Sequence, residues 1–281
     1  MKLEAKEGRR SMISNAPKAR WRAIRATLLL VTMVAVPSAV RAQATVDHKL
    51  FDALLGQHVR DGFVDYDAFA RDPAFGHYLA SLDRVRPATL DEDERLAFWI
   101  NVYNAFTIQL IVTHHESESI RNINRALGVL QLKGPWSEPL VRAAGRTLTL
   151  DDVNHGIIRK EFGEPRVHFA LVCAAVSCPP LRSEAYTGAK LVDQLNDQAR
   201  VFLRQSPTKN RFERRLLMLS PILAAYRTDF GATNQELGRA LAPYFEGADK
   251  EALLKGRLFI RETPFDWTLN SKAKAKSKGL M

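Results

Sequence analysis

The chain lacks most of the short motifs that announce a reaction. It has no glycine-rich phosphate loop, no dinucleotide fingerprint and no Gly-x-Ser-x-Gly elbow. Nucleotide-cofactor enzymes and elbow-type serine hydrolases are therefore without their signatures, and no cofactor is expected. There is no internal repeat and no long low-complexity linker, which excludes a solenoid or a string of tethered modules. Cysteine is scarce, with two in 281 residues. A dominant charge is also missing once the N-terminal segment is set aside. Residues 1–44 hold nine Lys/Arg and two Asp/Glu, a net of +7, so the formal +10 of the whole chain falls to +3. The basic isoelectric point is then no argument for specific nucleic-acid binding.

That N-terminal segment has the form of a secretory signal. Arg20, Arg22 and Arg25 precede an apolar run from Ala26 to Val36, and Pro37 and Ala39-Val40-Arg41-Ala42-Gln43-Ala44 follow. Cleavage after Ala42 or Ala44 fits, with Met1 or Met12 as the start. An uncleaved anchor is the alternative, but the apolar run is short for a bilayer. Export to the periplasm or outside the cell is the expectation. The mature chain would hold 237 residues, enough for a sizeable core, and would carry no transmembrane span. Residues 45–270 are read as one globular domain. Residues 271–281, with Lys272, Lys274, Lys276 and Lys278, are read as a disordered lysine-rich tail.

Periodicity places the elements. Asp47 to His58 has helical spacing, with Leu50, Phe51, Leu54 and Leu55 on one face. His48 and His58 are read there as surface or capping residues. Val64-Asp65-Tyr66 reads as extended, and Asp67 to Arg84 as helical with Pro73 at a break. Thr89-Leu90-Asp91-Glu92 reads as a capping box opening a helix around residues 91–113. That helix is apolar almost all round and so belongs at the centre of the fold. It carries Asn101 and Asn104, three apart on one face, and buried amides require partners. A structural network or a cleft at that face would supply them. Leu140 to Leu150 reads as a hairpin turning at Ala144-Gly145. Asp151 caps a helix with Val153, His155, Ile157 and Ile158. Arg166 to Cys173 reads as a buried strand. Leu191, Leu195, Ala199 and Phe202 share a helical face, and residues 215–220 and 258–260 read as strands. The order lacks a βαβ rhythm. The fold class is therefore α+β, a helix-rich single domain with a small, mostly antiparallel sheet.

Several segments together resemble a known family. They are Val64-Asp65-Tyr66, Ala97-Phe98-Trp99-Ile100-Asn101-Val102-Tyr103-Asn104-Ala105, Leu150 to Arg159, the stretch from Arg166 through Leu181, Tyr226 with Asp229-Phe230, and Phe265 to Asn270. In these the chain resembles the bacterial branch of the family called domain of unknown function 547. The resemblance implies an exported bacterial protein and brings no settled reaction. The family's Tyr-Asp-Trp is Phe265-Asp266-Trp267 here, so a hydroxyl role at that position is not carried over.

Both cysteines lie in Cys173-Ala174-Ala175-Val176-Ser177-Cys178, and three readings stay open. In the first, they form a disulfide, as export favours. In the second, one is the nucleophile of a papain- or transglutaminase-like hydrolase or acyl transferase. Cys178 would then open a helix at Pro179, or Cys173 would end a strand. His155 and His168 are the candidate bases, and Asn101 or Asn104 would orient the histidine or serve an oxyanion. On an unbroken strand His168 and Cys173 face opposite ways, so His155 is the better partner for Cys173. In the third, His155, His168, Cys173 and Cys178 bind zinc. His114-His115-Glu116 is read as a solvated helix end, and Trp99, Tyr103 and Trp136 as core aromatics. The function expected is an exported envelope binding or accessory module. Its polar site would combine His, Asn and Cys, and its partner would be a cell-envelope peptide or polymer.

Overall fold

In the computed structural model, which describes residues 44–123, 134–205, 209–213, 216–256 and 259–279, the N-terminal elements are short. The segment read as a signal lies outside the described residues up to Gln43. Helix α1 (Lys49–His58) buries Phe51, Leu54 and Leu55, while Leu50 is exposed. His48 is buried rather than at the surface, with its Nδ1 2.9 Å from the Tyr78 hydroxyl. Strands β1 (Val59–Arg60) and β2 (Phe63–Val64) form a hairpin through Asp61 and Gly62, both with positive φ. A Cβ on Gly62 would lie 2.4 Å from that of Pro180, so only glycine fits this turn. Helices α2 (Tyr66–Arg71) and α3 (Pro73–Leu82) follow, with the break at Asp72-Pro73.

Helix α4 (Glu92–Thr113) is the centre of the molecule. Its cap is Asp91, whose carboxylate accepts from the Glu94 amide; Thr89 belongs to a preceding 3-10 turn and takes no part. By length and composition α4 is apolar enough to cross a membrane, but it is buried inside the fold. Four buried polar side chains interrupt its apolar surface; Thr107 bonds Tyr103 C=O within the helix, and each of the other three binds backbone from another segment. The buried Glu94 carboxylate accepts from Val46 N–H at 2.8 Å and Gly188 N–H at 2.7 Å. Asn101 donates to Tyr186 C=O and accepts from Tyr186 N–H, at 2.7 and 3.0 Å. Asn104 donates to Ala170 C=O and accepts from Val172 N–H, both at 3.0 Å. Residues seven and three apart lie on neighbouring helical rows, so the three form a polar seam down one side of α4.

The seam explains the irregular course opposite it. Strands β3 (Val141–Ala143) and β4 (Arg146–Leu148) make the expected hairpin, with Ala144 and Gly145 both at positive φ. A π-helical segment, Asp152–Ile158, leads into α5 (Arg159–Phe162). Asp151 does not cap it. Thr149 and Asp152 bond reciprocally at its start, and Asp151 instead accepts from Ser137 Oγ at 2.6 Å. The stretch expected as a strand begins as a short helix, α6 (Val167–Ala170), and continues as loop. Asn104 supplies the partners that a neighbouring strand would have given. No helix opens at Cys178-Pro179.

Helix α7 (Leu191–Arg204) buries Leu191, Leu195, Ala199 and Phe202, as its spacing predicts. Strands β5 (Arg211–Glu213) and β6 (Leu216–Leu219) are antiparallel. Helices α8 (Pro221–Ala225), α9 (Arg227–Phe230), α10 (Asn234–Leu241) and α11 (Gly247–Lys255) lead to β7 (Phe259–Glu262), which pairs parallel to β6. The fold is thus helix-rich α+β, with its sheet split into two hairpins and one three-stranded sheet. A larger apolar cluster surrounds α4, and a smaller one joins α7, β6 and α8–α11. Helix α6 lies between them, with Val167 and Ala170 in the first and Phe169 in the second.

Part of the lysine-rich segment forms a short helix. Helix α12 (Lys272–Ser277) buries Ala275, Lys274 pairs with Glu118, and Lys278 Nζ lies 3.1 Å from Asp266. A lysine–alanine alternation read as tail composition here places one alanine inward and the lysines at the rim.

Asn104→Ala strands a buried carbonyl and a buried amide at once. It is expected to lower the unfolding free energy by about 2–4 kcal/mol. Gln109→Ala, on the same helix but bonded only to nearby Thr113, is expected to cost less than about 0.5 kcal/mol. Urea denaturation of the two variants checks the difference.

Candidate functional site

The six residues singled out from sequence separate into three groups. Asn101 and Asn104 are engaged in the backbone clamps of α4, and neither is placed as an oxyanion donor. Cys173 and Cys178 are joined in a disulfide with Cα atoms 5.7 Å apart, and neither is a free thiol. A nucleophile role for Cys173 or Cys178 therefore has no thiolate to carry it. The zinc reading loses its two sulfur ligands in the same way. Among the described residues no group of three or more His, Cys, Asp or Glu is arranged to hold a metal ion. His155 and His168 come together, but through residues outside the original set.

The disulfide shapes its own loop. Ala174 has positive φ, and the Ala175 amide points at Cys178 Sγ at 3.2 Å. Val176 N–H donates to Thr268 C=O and Ser177 N–H to Asp266 C=O, at 2.8 and 3.2 Å. Ser177 Oγ accepts from the Asp266 amide at 2.8 Å. The loop is thus laced to residues 266–270, one of the family-like segments. The preference for His155 beside Cys173 depends on an unbroken strand over that stretch. With α6 helical that premise is gone, and the hydrogen bonds of both imidazoles run to other partners.

His168 projects from α6, with its side chain 1% exposed and Nε2 2.7 Å from Asp229 Oδ2. The Tyr226 ring stacks on the imidazole at 3.9 Å and 14°. Arg159, at the start of α5, grips Asp229 through Nε and Nη2, both at 2.7 Å. Arg159 also lies over the Tyr226 ring, 5.1 Å from its centroid. Its Nη1 is 3.1 Å from Nδ1 of the exposed His155. A guanidinium only donates, so Nδ1 of His155 accepts and the ring proton sits on Nε2, free to donate outward. Asn154 Nδ2 donates to the Tyr226 hydroxyl at 3.2 Å, while the buried Asn154 Oδ1 has no partner among the described residues. The result is a chain of polar contacts from solvent at His155 to a sealed imidazole.

The charges follow from these contacts. Hydrogen bonds from Arg159, and to a lesser extent from His168, together hold the Asp229 carboxyl down at about 2 against the effect of burial. Burial pushes His168 down to about 4, against the pull of Asp229. Near neutral pH a neutral His168 therefore donates to an ionised Asp229, whose charge Arg159 balances. Such an Asp–His pair resembles the orienting half of a triad, yet the imidazole is closed to solvent.

An aromatic surface forms a second patch. The half-buried Trp136 and Trp267 rings are 6.3 Å apart, Phe265 lies 4.4 Å from Trp267, and Arg121 covers Trp267 at 5.2 Å. Burial pushes the hydroxyl of Tyr103, beside Trp136, well above the ordinary tyrosine value.

Sequence reasoning did not place Asn154, Arg159, Tyr226 and Asp229 in the site. Two signals pointed to them. Arg159 is four residues after His155 on a helical segment. Tyr226 and Asp229 were among the segments that carried the family resemblance.

Residues 87–203 match the family described as Protein of unknown function, DUF547. The match runs from the 3-10 turn before α4 to the end of α7, and so includes the whole polar seam, the disulfide and both histidines. No curated protein and no solved structure matches the chain.

Acid titration tests the electrostatics. The ordinary value for histidine is 6.5, and burial lowers both His48 and His168 to about 4 in the folded chain. The unfolded chain then binds more protons between pH 6.5 and pH 4. Stability is complete above the upper limit and falls as pH drops through the window, with Asp229 adding a loss below it. His168→Gln keeps a donor for Asp229 but cannot titrate. It is expected to remove roughly 2 kcal/mol of the decline between pH 7 and pH 4.5. Urea unfolding across that range reads it, and an unchanged slope would contradict a buried, neutral His168.

Proposed function

For a chain that carries a DUF547 domain, we propose the role of an exported envelope module that binds a peptide or polymer of the cell envelope. The observation that carries this reading is the Cys173–Cys178 disulfide. A disulfide persists in oxidising compartments, which agrees with the secretory form of residues 1–44. It also occupies both sulfurs that a cysteine-dependent hydrolase or acyl transferase would require, so the binding reading is the better supported.

The ligand-facing groups are the outward N–H of His155, the Tyr226 hydroxyl and the aromatic patch of Trp136, Phe265 and Trp267. Half-exposed aromatic rings and a few fixed polar groups are the usual make-up of a recognition surface. The Arg159–Asp229–His168 contacts serve this surface by holding Tyr226 and His155 in place.

Expression of the full-length chain in a Gram-negative host tests the export claim. The expected product is periplasmic, begins at Gln43 or Thr45, and resists alkylation at both cysteines until it is reduced. A cytoplasmic product with an intact N-terminus and two alkylatable thiols would contradict the reading. Co-sedimentation with isolated cell-wall polymer tests the binding claim. Trp267→Ala is expected to weaken retention at least tenfold, and retention equal to that of the unaltered chain would remove the aromatic patch from the surface.

A further inference from the structure

A second site lies on the other side of the disulfide loop, around Lys209. A cavity of about 720 Å³ opens there between the β1–β2 turn, the residues after the disulfide and helix α7. That volume is within the usual range for small-molecule sites. Phe63, Val176, Pro180, Leu181 and Val201 give it an apolar wall. Lys209 enters this wall with its side chain mostly buried, and its Nζ donates to Cys178 C=O at 2.8 Å. Its carbonyl and the residue that follows are both fixed. Thr263 Oγ1 donates to Lys209 C=O at 2.9 Å, and Asn210 is clamped between Phe202 C=O and Ser220 N–H.

No carboxylate pairs with Lys209 among the described residues. The acids that line the cavity are engaged or at its rim. Glu184 and Asp197 both pair with Arg182, and Asp61 is exposed in the β1–β2 turn. A largely buried ammonium held, among the described residues, by one carbonyl is an incomplete arrangement, because burial of a charge is costly without a counter-ion. Burial already lowers this ammonium to about 8. An anion brought into the cavity would complete it, and the apolar wall would cover the rest of the molecule.

We propose that the cavity between the disulfide loop and α7 binds a small carboxylate with an apolar body, whose carboxylate pairs with Lys209. This site is separate from the His155–Tyr226 surface and does not rest on the envelope-binding reading.

Decanoate is a suitable probe, with inorganic phosphate as the headgroup-only comparison. Amine labelling of the full-length chain near pH 8, followed by peptide mass spectrometry, reads Lys209 directly. Saturating decanoate is expected to slow labelling of Lys209 at least fivefold and to leave exposed Lys190 unchanged. Calorimetry is expected to show saturable decanoate binding that weakens at least tenfold in Lys209→Met, with far-UV circular dichroism confirming that the variant is folded. The labelling arm needs no variant, so it stands if Lys209→Met fails to fold. Equal labelling of Lys209 with and without decanoate would overturn the proposal. Protection by phosphate but not by decanoate would overturn it as well, since the apolar wall would then have no part in binding.

Discussion

The structure depends on a largely buried helix with three polar side chains whose partners lie in other segments of the chain. A buried carboxylate or amide without partners would cost several kcal/mol. Glu94, Asn101 and Asn104 meet that cost by binding backbone groups of Val46, Ala170, Val172, Tyr186 and Gly188. Four of those five residues lie between Ala170 and Gly188, where the chain has little regular structure of its own. The seam on α4 therefore does for this stretch what a neighbouring strand does in a sheet. It satisfies the backbone and fixes the path of the chain.

Everything at the candidate site follows from that path. Asn104 holds the end of α6, and α6 presents His168 to Asp229. The clamped segment runs on into the disulfide loop, and this loop is tied to residues 266–270 on one side and to Lys209 on the other. The site residues are thus held by two kinds of constraint. Buried neutral hydrogen bonds fix the backbone, and a compensated set of charges fixes the side chains. Arg159 neutralises Asp229, which lets an uncharged imidazole be buried against it.

The sequence made the regular parts legible. The all-round apolar character of α4, the single apolar face of α7 and the Ala144-Gly145 turn all appear as expected. The irregular parts were not legible, for physical reasons. A short apolar run such as Val167 to Cys173 suits a buried strand or a buried helix equally, and Asn104 removed the need for a strand. Asn101 and Asn104 were visible as buried amides in need of partners, but the partners are backbone atoms 66 to 85 residues away. Arg159 and Asp229 are 70 residues apart, and no local pattern announces such a pair. The disulfide was one of three readings of the cysteines, the one that export favoured. Its consequence, the lacing of the loop to the C-terminal segment, belongs to tertiary structure alone.

Native-state amide hydrogen exchange at Val172 and Tyr186 tests the role of the seam most directly. Neither amide belongs to a helix or a sheet; each is bonded to a side-chain oxygen of α4. If the seam anchors this region, both exchange as slowly as the middle of α4 and open only when the whole domain unfolds. Exchange at the rate of the surrounding loops, while α4 stays protected, would show that the clamps do not hold the site and would contradict the account.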